Sequence, residues 1–196
     1  MRPGAREVHL THTDKVFFPD DGLTKGDLIR YYARIADTML PFLRDRPVVM
    51  HRFPDGLAGE GFYHKERPEY FPDWIEGETV RNQDGTDTTY VICQEPAALA
   101  YLANQACITL HLWLSRRDAL DRPDRLIFDF DPPGNDFGAV KRLALEMRAL
   151  LADLGLVSFA MTTGSRGLHV IVPLDRGQGF DEVRGFAREV ARVLVA

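Results

Sequence analysis

The chain has 196 residues, 45% of them apolar and 27% charged, with 24 basic and 29 acidic side chains and a net charge of −5. That is the composition of a globular protein long enough to bury a real core, and it excludes a disordered chain, a collagen-like fibre and a uniformly basic nucleic-acid coat. No apolar run approaches the ~18 residues of a membrane span. Met1-Arg2-Pro3-Gly4 leads into no apolar secretory region, and Cys93 and Cys107 lie in apolar stretches without CxxC spacing, so the expectation is a cytoplasmic protein.

From Thr24 onward the spacing predicts a helix. Leu28, Tyr32, Ile35, Ala36 and Met39 share one face, Thr24 with Asp27 reads as a capping box, and Pro41 as the stop. Val48–Phe53 reads as a strand, and residues 54–73, rich in Gly, Pro and aromatics, as a long loop. Thr79–Asn82 and Thr88–Cys93 read as a hairpin around Asp84-Gly85, and Pro96 starts an Ala-rich helix to about Cys107. Ile108, Leu110, Leu112 and Leu114 alternate with Thr109, His111 and Trp113, a strand with one core face. Leu126, Phe128 and Phe130 alternate likewise with Ile127, Asp129 and Asp131. A helix from Phe137 to Leu154 ends at Gly155, strands follow at Leu156–Thr162 and Leu168–Leu174, and a last helix runs from Phe180 to about Val195. The second half therefore reads β-β-α-β-β-α.

Five features carry candidate chemistry. In Asp129-Phe130-Asp131-Pro132-Pro133, residues i and i+2 of a strand put both carboxylates on one face, with Cα atoms roughly 6.5–7 Å apart. Two like charges that close call for a cation between them, and Mg²⁺ or Mn²⁺ suits oxygen donors; a solvated strand end is the other reading. In Thr163-Gly164-Ser165-Arg166-Gly167, the glycines let backbone approach a ligand, and Ser165 and Arg166 suit phosphate; a plain turn is the alternative. His169 and His111 lie on strand faces opposite apolar rows, as ligands or as hydrogen-bonded structural residues. Lys15 and Lys25 flank a turn, and a lysine in the first turn of a helix is tolerable where an anion binds; a plain surface lysine is the other reading. Arg52, Phe62, Tyr63 and Lys65 combine cations with aromatics, a pattern for stacking on bases or for anchoring a loop.

Taken together and in order, these residues resemble one family, the polymerase domain of bacterial DNA ligase D, in the archaeo-eukaryotic primase superfamily. The resemblance runs from Val8 to the C-terminus. Leu10–Pro19 with Thr24-Lys25, Arg52-Phe53-Pro54-Asp55-Gly56, Gly61–Lys65, Pro72–Ile75, His111-Leu112-Trp113, Asp129–Pro133 and Gly164–Leu174 carry it. It implies an α/β primase-like fold, with a mixed central sheet flanked by helices, a smaller N-terminal lobe, and a cleft on the face of His111, Asp129, Asp131 and the Ser165 turn. It also implies a nucleotidyltransferase that adds NTPs or dNTPs to DNA 3′ ends during non-homologous end joining, by a two-metal mechanism with Mn²⁺ or Mg²⁺. On that resemblance Asp129 and Asp131 bind metal and catalyse, while Arg52, His111, Ser165, Arg166 and His169 bind the nucleotide. Lys15 and Lys25 recognise a 5′-phosphate, and Phe62 and Tyr63 pack on the template. Implied partners are DNA ends, ligase and nuclease modules of the same polypeptide, and a Ku-type end-binding protein. The chain departs from the family at His51 and Arg166, where Lys is common, and at Tyr63, where Phe is. The family's third metal-binding Asp lies beyond Ala196, so the chain reads as one domain over 1–196, truncated at its C-terminus. A non-catalytic module that binds 5′-phosphate ends is the alternative function.

Overall fold

The computed structural model describes residues 6–132 and 134–194. The chain divides into two compact units, before and after the Trp113–Leu114 bond. The first unit opens on two short antiparallel strands, β1 (Val16–Phe18) and β2 (Leu23–Thr24), and runs directly into α1 (Lys25–Leu43). The capping box is present: Thr24 Oγ1 accepts from the Asp27 N–H at 3.2 Å, and the Asp27 carboxylate accepts from the Thr24 N–H at 2.9 Å. The Thr24 hydroxyl, donating to the Asp27 carboxylate at 2.7 Å, then the Thr24 N–H and Arg30, favour the ionised form and bring the Asp27 pKa down to about 2. Leu28, Tyr32, Ala36 and Leu40 form the buried row. Pro41 does not end α1. In the last turn its missing N–H removes a single bond, and fully buried Leu43 anchors the chain before the Arg44 N–H closes on the Leu40 carbonyl at 2.9 Å.

β3 (Pro47–Arg52), β4 (Phe62–His64), β5 (Gly77–Arg81), β6 (Asp87–Ile92), α2 (Pro96–Asn104) and β7 (Cys107–Leu112) complete this unit. β3 is the centre of a five-stranded antiparallel sheet, with β7 along one edge, β6 and β4 sharing the other, and β5 outside β6. Phe17, Ile29, Leu43, Met50, Leu99 and Leu102 belong to its core. The supposed loop 54–73 thus holds a strand, β4, short and exposed at Phe62 and Tyr63. Cys107 begins β7 rather than ending α2, because the helix closes at Asn104 and Ala106 takes φ +63.

The second unit begins with the short hairpin β8 (Ser115–Arg116) and β9 (Ala119–Pro123). β10 (Arg125–Phe130), α3 (Phe137–Asp153), β11 (Phe159–Thr162), β12 (Leu168–Pro173) and α4 (Phe180–Leu194) follow. The sheet order is β10-β12-β11, antiparallel throughout. Leu126 and Phe128 of β10 and Val170 and Val172 of β12 pack on Val140, Ala144, Met147 and Leu151 of α3. Alternation then turns Asp129, His169 and Met161 to the opposite face. Pro133 and Val195, counted among the predicted features, lie outside the described residues.

The α/β class holds, but the expected central sheet is resolved into separate sheets, every pairing among the described residues is antiparallel, and the N-terminal unit is the longer. The physical reason lies in β7. Its alternation is as predicted, but it pairs with β3 and not with β10. Period two fixes which residues share a face and leaves the partner strand open.

Candidate functional site

In the second unit, Asp129 sits on β10 directly opposite His169 of β12. His169 Nε2 lies 3.2 Å from Asp129 Oδ1, while Nδ1 is buried without a hydrogen-bond partner among the described residues. Asp131 follows one residue past the strand end, exposed like Asp129, with Phe130 between them turned toward the core.

The turn joining β11 to β12 abuts Asp131. It is closed by Thr163 Oγ1, which donates to the Gly167 carbonyl at 3.1 Å and accepts from the Gly167 N–H at 3.1 Å. A Cβ on Gly167 would stand 2.5 Å from Asp131 Oδ1 and 3.0 Å from the Phe130 carbonyl oxygen, so the turn lies close against the acidic pair. Gly164, at φ +86, opens the turn, and Ser165 and Arg166 project from it exposed. The structure therefore brings Asp129, Asp131, His169 and the Ser165–Arg166 turn together. Asp129 and Asp131 are hard oxygen donors with no Lys or Arg partner among the described residues, and they fit a divalent cation as two of its ligands. No set of three or more His, Cys, Asp or Glu that could hold a metal is present among the described residues.

In the first unit the predicted residues divide between the two faces of the sheet. Arg52 ends β3 with its guanidinium tied down: Nε donates to the Gln105 carbonyl at 2.9 Å, and Nη1 lies 3.1 Å from both His64 Nδ1 and Tyr70 Oη. Phe62 lies under it, 5.7 Å from ring centroid to guanidinium carbon. On the other face His51 stacks on Tyr63, with ring centroids 4.2 Å apart and 13° between planes, and His111 meets Tyr63 edge-on at 5.2 Å. Phe62 and Tyr63 are neighbours on a strand and so point opposite ways; they do not form one stacking surface. Arg52 and His111 are separated in the same manner. Burial, and after it the nearby His51, lowers the His111 pKa below the ordinary histidine value; burial, then Arg52, does the same to His64. His51, Tyr70 and Gln105 are the neighbours that a motif reading missed. Only His51 carried a signal, standing where Lys is common.

Lys25 is the first residue of α1 and is 5% exposed. Its Nζ donates to Thr11 Oγ1 at 3.2 Å, and burial followed by the Lys15 charge lowers its pKa. Lys15 Nζ donates to the Pro54 carbonyl at 2.7 Å and to Asp55 Oδ1 at 2.6 Å. The expectation that an anion would sit on the α1 N-terminus meets a correction. The Lys25 and Gly26 N–H groups already donate to the Lys15 and Thr13 carbonyls, at 2.8 Å each, and Thr24 takes the Asp27 N–H. What this corner offers an anion is ammonium groups, not backbone.

The profile of the family described as LigD, primase-polymerase domain, matches residues 24–196. The chain belongs to that family. Among its relatives, the multifunctional non-homologous end joining protein LigD of Mycolicibacterium smegmatis is 37% identical over 95% of this chain and 25% of its own length. The bifunctional non-homologous end joining protein LigD of Bacillus subtilis is 30% identical over 97% of the chain and 30% of its own length. The chain thus spans a quarter to a third of these curated relatives. A solved polymerase domain from Mycobacterium tuberculosis ligase D, in complex with DNA, superposes with a TM-score of 0.88 at 34% identity, over 96% of this chain and 68% of that one. This primase-polymerase domain therefore shares the LigD polymerase fold, and no helix among its described residues is long and apolar enough to cross a membrane.

Proposed function

We propose that the chain is a DNA end-joining nucleotidyltransferase, which adds NTPs or dNTPs to 3′ ends at DNA breaks during non-homologous end joining. The observation that carries this reading is the Asp129–Asp131 pair with the Ser165–Arg166 turn set against it. Asp129 and Asp131 would hold Mg²⁺ or Mn²⁺. Ions bound there would supply two-metal chemistry, lowering the pKa of the 3′-hydroxyl and neutralising charge on the triphosphate and leaving pyrophosphate. Arg166 offers a planar fork to phosphate oxygens, and Ser165 a hydroxyl donor. His169, with Nε2 3.2 Å from Asp129 Oδ1, stands beside the acidic pair and serves the nucleotide. Arg52 and His111 serve the nucleotide, Phe62 and Tyr63 the template, and Lys15 and Lys25 a 5′-phosphate. We assign the work to the cytoplasm, alongside ligase and nuclease modules and a Ku-type protein.

A second reading is supported by the lysine corner and by the two-ligand acidic set: a module that grips 5′-phosphate ends without transferring nucleotides. Primer extension on a gapped duplex bearing a 5′-phosphate, with Mn²⁺ and each NTP, separates the two. Extension abolished by Asp129→Ala with Asp131→Ala is the expected outcome. Absence of extension together with tight phosphate-dependent binding establishes the second reading instead.

A further inference from the structure

The Arg52–Gly56 run contains a charged residue to which neither nucleotide nor metal chemistry gives a task, Asp55. Its contact with Lys15, at 2.6 Å, is open to solvent, with the Asp55 side chain 78% and the Lys15 side chain 40% exposed, but the backbone around it is fixed. The Leu57 N–H donates to the Phe17 carbonyl at 2.8 Å, clamping the 53–57 segment onto β1. Gly56 sits there at φ +78, and a Cβ on it would lie 2.9 Å from Phe17 Cα, so the clamp closes only on glycine. Lys15 donates in addition to the Pro54 carbonyl at 2.7 Å, leaving the third N–H of its ammonium for another partner. Lys25 beside it takes Thr11 Oγ1 and no carboxylate among the described residues. The corner is thus two neighbouring cations, one of which, Lys15, holds a carboxylate.

We propose that Asp55 is a built-in counter-ion of this two-lysine site, one that holds Lys15 in position before DNA arrives and competes with the phosphate that follows. The inference rests on the reading of Lys15 and Lys25 as a 5′-phosphate site. A terminal phosphate monoester carries about −1.5 to −2 charges, a backbone phosphodiester one, so a fixed negative charge opposes the end phosphate more strongly than the backbone. Removing it must favour the end phosphate.

The test is equilibrium binding of gapped duplexes with a 5′-phosphate or a 5′-hydroxyl to the wild-type chain and to Asp55→Asn. Asp87→Asn, on the β5–β6 hairpin, serves as the control for net charge. The expected result is about three- to tenfold tighter binding of the 5′-phosphate duplex by Asp55→Asn at low salt. The gain should be smaller for the 5′-hydroxyl duplex and fade as salt rises. Weaker binding, no change, or equal gains on both duplexes or in the Asp87→Asn control would overturn the proposal. A wild-type chain that does not distinguish the two duplexes, and is indifferent to Lys15→Ala and Lys25→Ala, would instead remove the 5′-phosphate reading and the proposal with it. Discrimination that depends on both lysines but not on Asp55 removes the proposal alone.

Discussion

Lys25 keeps a positive charge where water scarcely reaches it, 5% exposed and with the Thr11 hydroxyl as its partner among the described residues. Nothing in folding requires that, and methionine would fill the same volume without the desolvation cost. Lys25→Met is expected to raise unfolding stability by about 1–2 kcal/mol in urea titrations, while 5′-phosphate-dependent DNA binding is lost. Binding that survives in a stabilised variant would show the ammonium to be structural. The sign with pH follows from its lowered pKa. Between the folded and unfolded values the unfolded chain binds more protons, so the charge penalty shrinks and stability rises as pH climbs through the depressed value.

Within β4 the alternation of side chains decides which residues can act together. Tyr63 stacks on His51 and Phe62 lies under Arg52, on opposite faces. Double-mutant cycles read by urea unfolding should show Phe62→Ala and Tyr63→Ala additive within about 0.5 kcal/mol, and His51→Ala with Tyr63→Ala coupled by more than that. Coupling between Phe62 and Tyr63 would return them to a single stacking surface. The elements most legible in the sequence were those set by local chemistry. The Thr24–Asp27 box, the Asp84-Gly85 turn and the Asp129–Phe130–Asp131 alternation each declare themselves within a few residues. β4 was not legible because three residues between Gly61 and the charged run Lys65-Glu66-Arg67 give no period to count. Pro41 misled because a proline in a last turn costs one bond, whereas in a helix interior it would break the helix. The site was legible as residue types but not as groupings: the separation of Arg52 from His111 depends on strand faces, and the Lys15–Asp55 contact on a loop closing across the chain.

At the scale of the molecule, the two units have cores that share no residue, one holding Met50 and Leu99, the other Met147 and Leu151. Met147→Ala, at a fully buried position, should cost about 2–5 kcal/mol. The loss should fall on amide-exchange protection of β10 and β12, with that of β3 and β7 little changed. Equal loss in all four strands would mean a single cooperative structure. The α/β class was readable because helical and strand periods alternate along the chain; the division into units was not, since it depends on β7 choosing β3. The first core also encloses both sulfhydryls. Burial pushes Cys93 above its ordinary pKa and Cys107 up to about 12, which keeps both protonated. Peroxide reacts with thiolate, so these sulfurs are poor targets for the oxidants that also break DNA. Met161, exposed on β11 and paired with His169 across the ladder, is the methionine most open to such an oxidant among the described residues. Its sulfoxide would place a new dipole beside His169, the neighbour of Asp129, so oxidative wear would reach the acidic pair before it reached the fold.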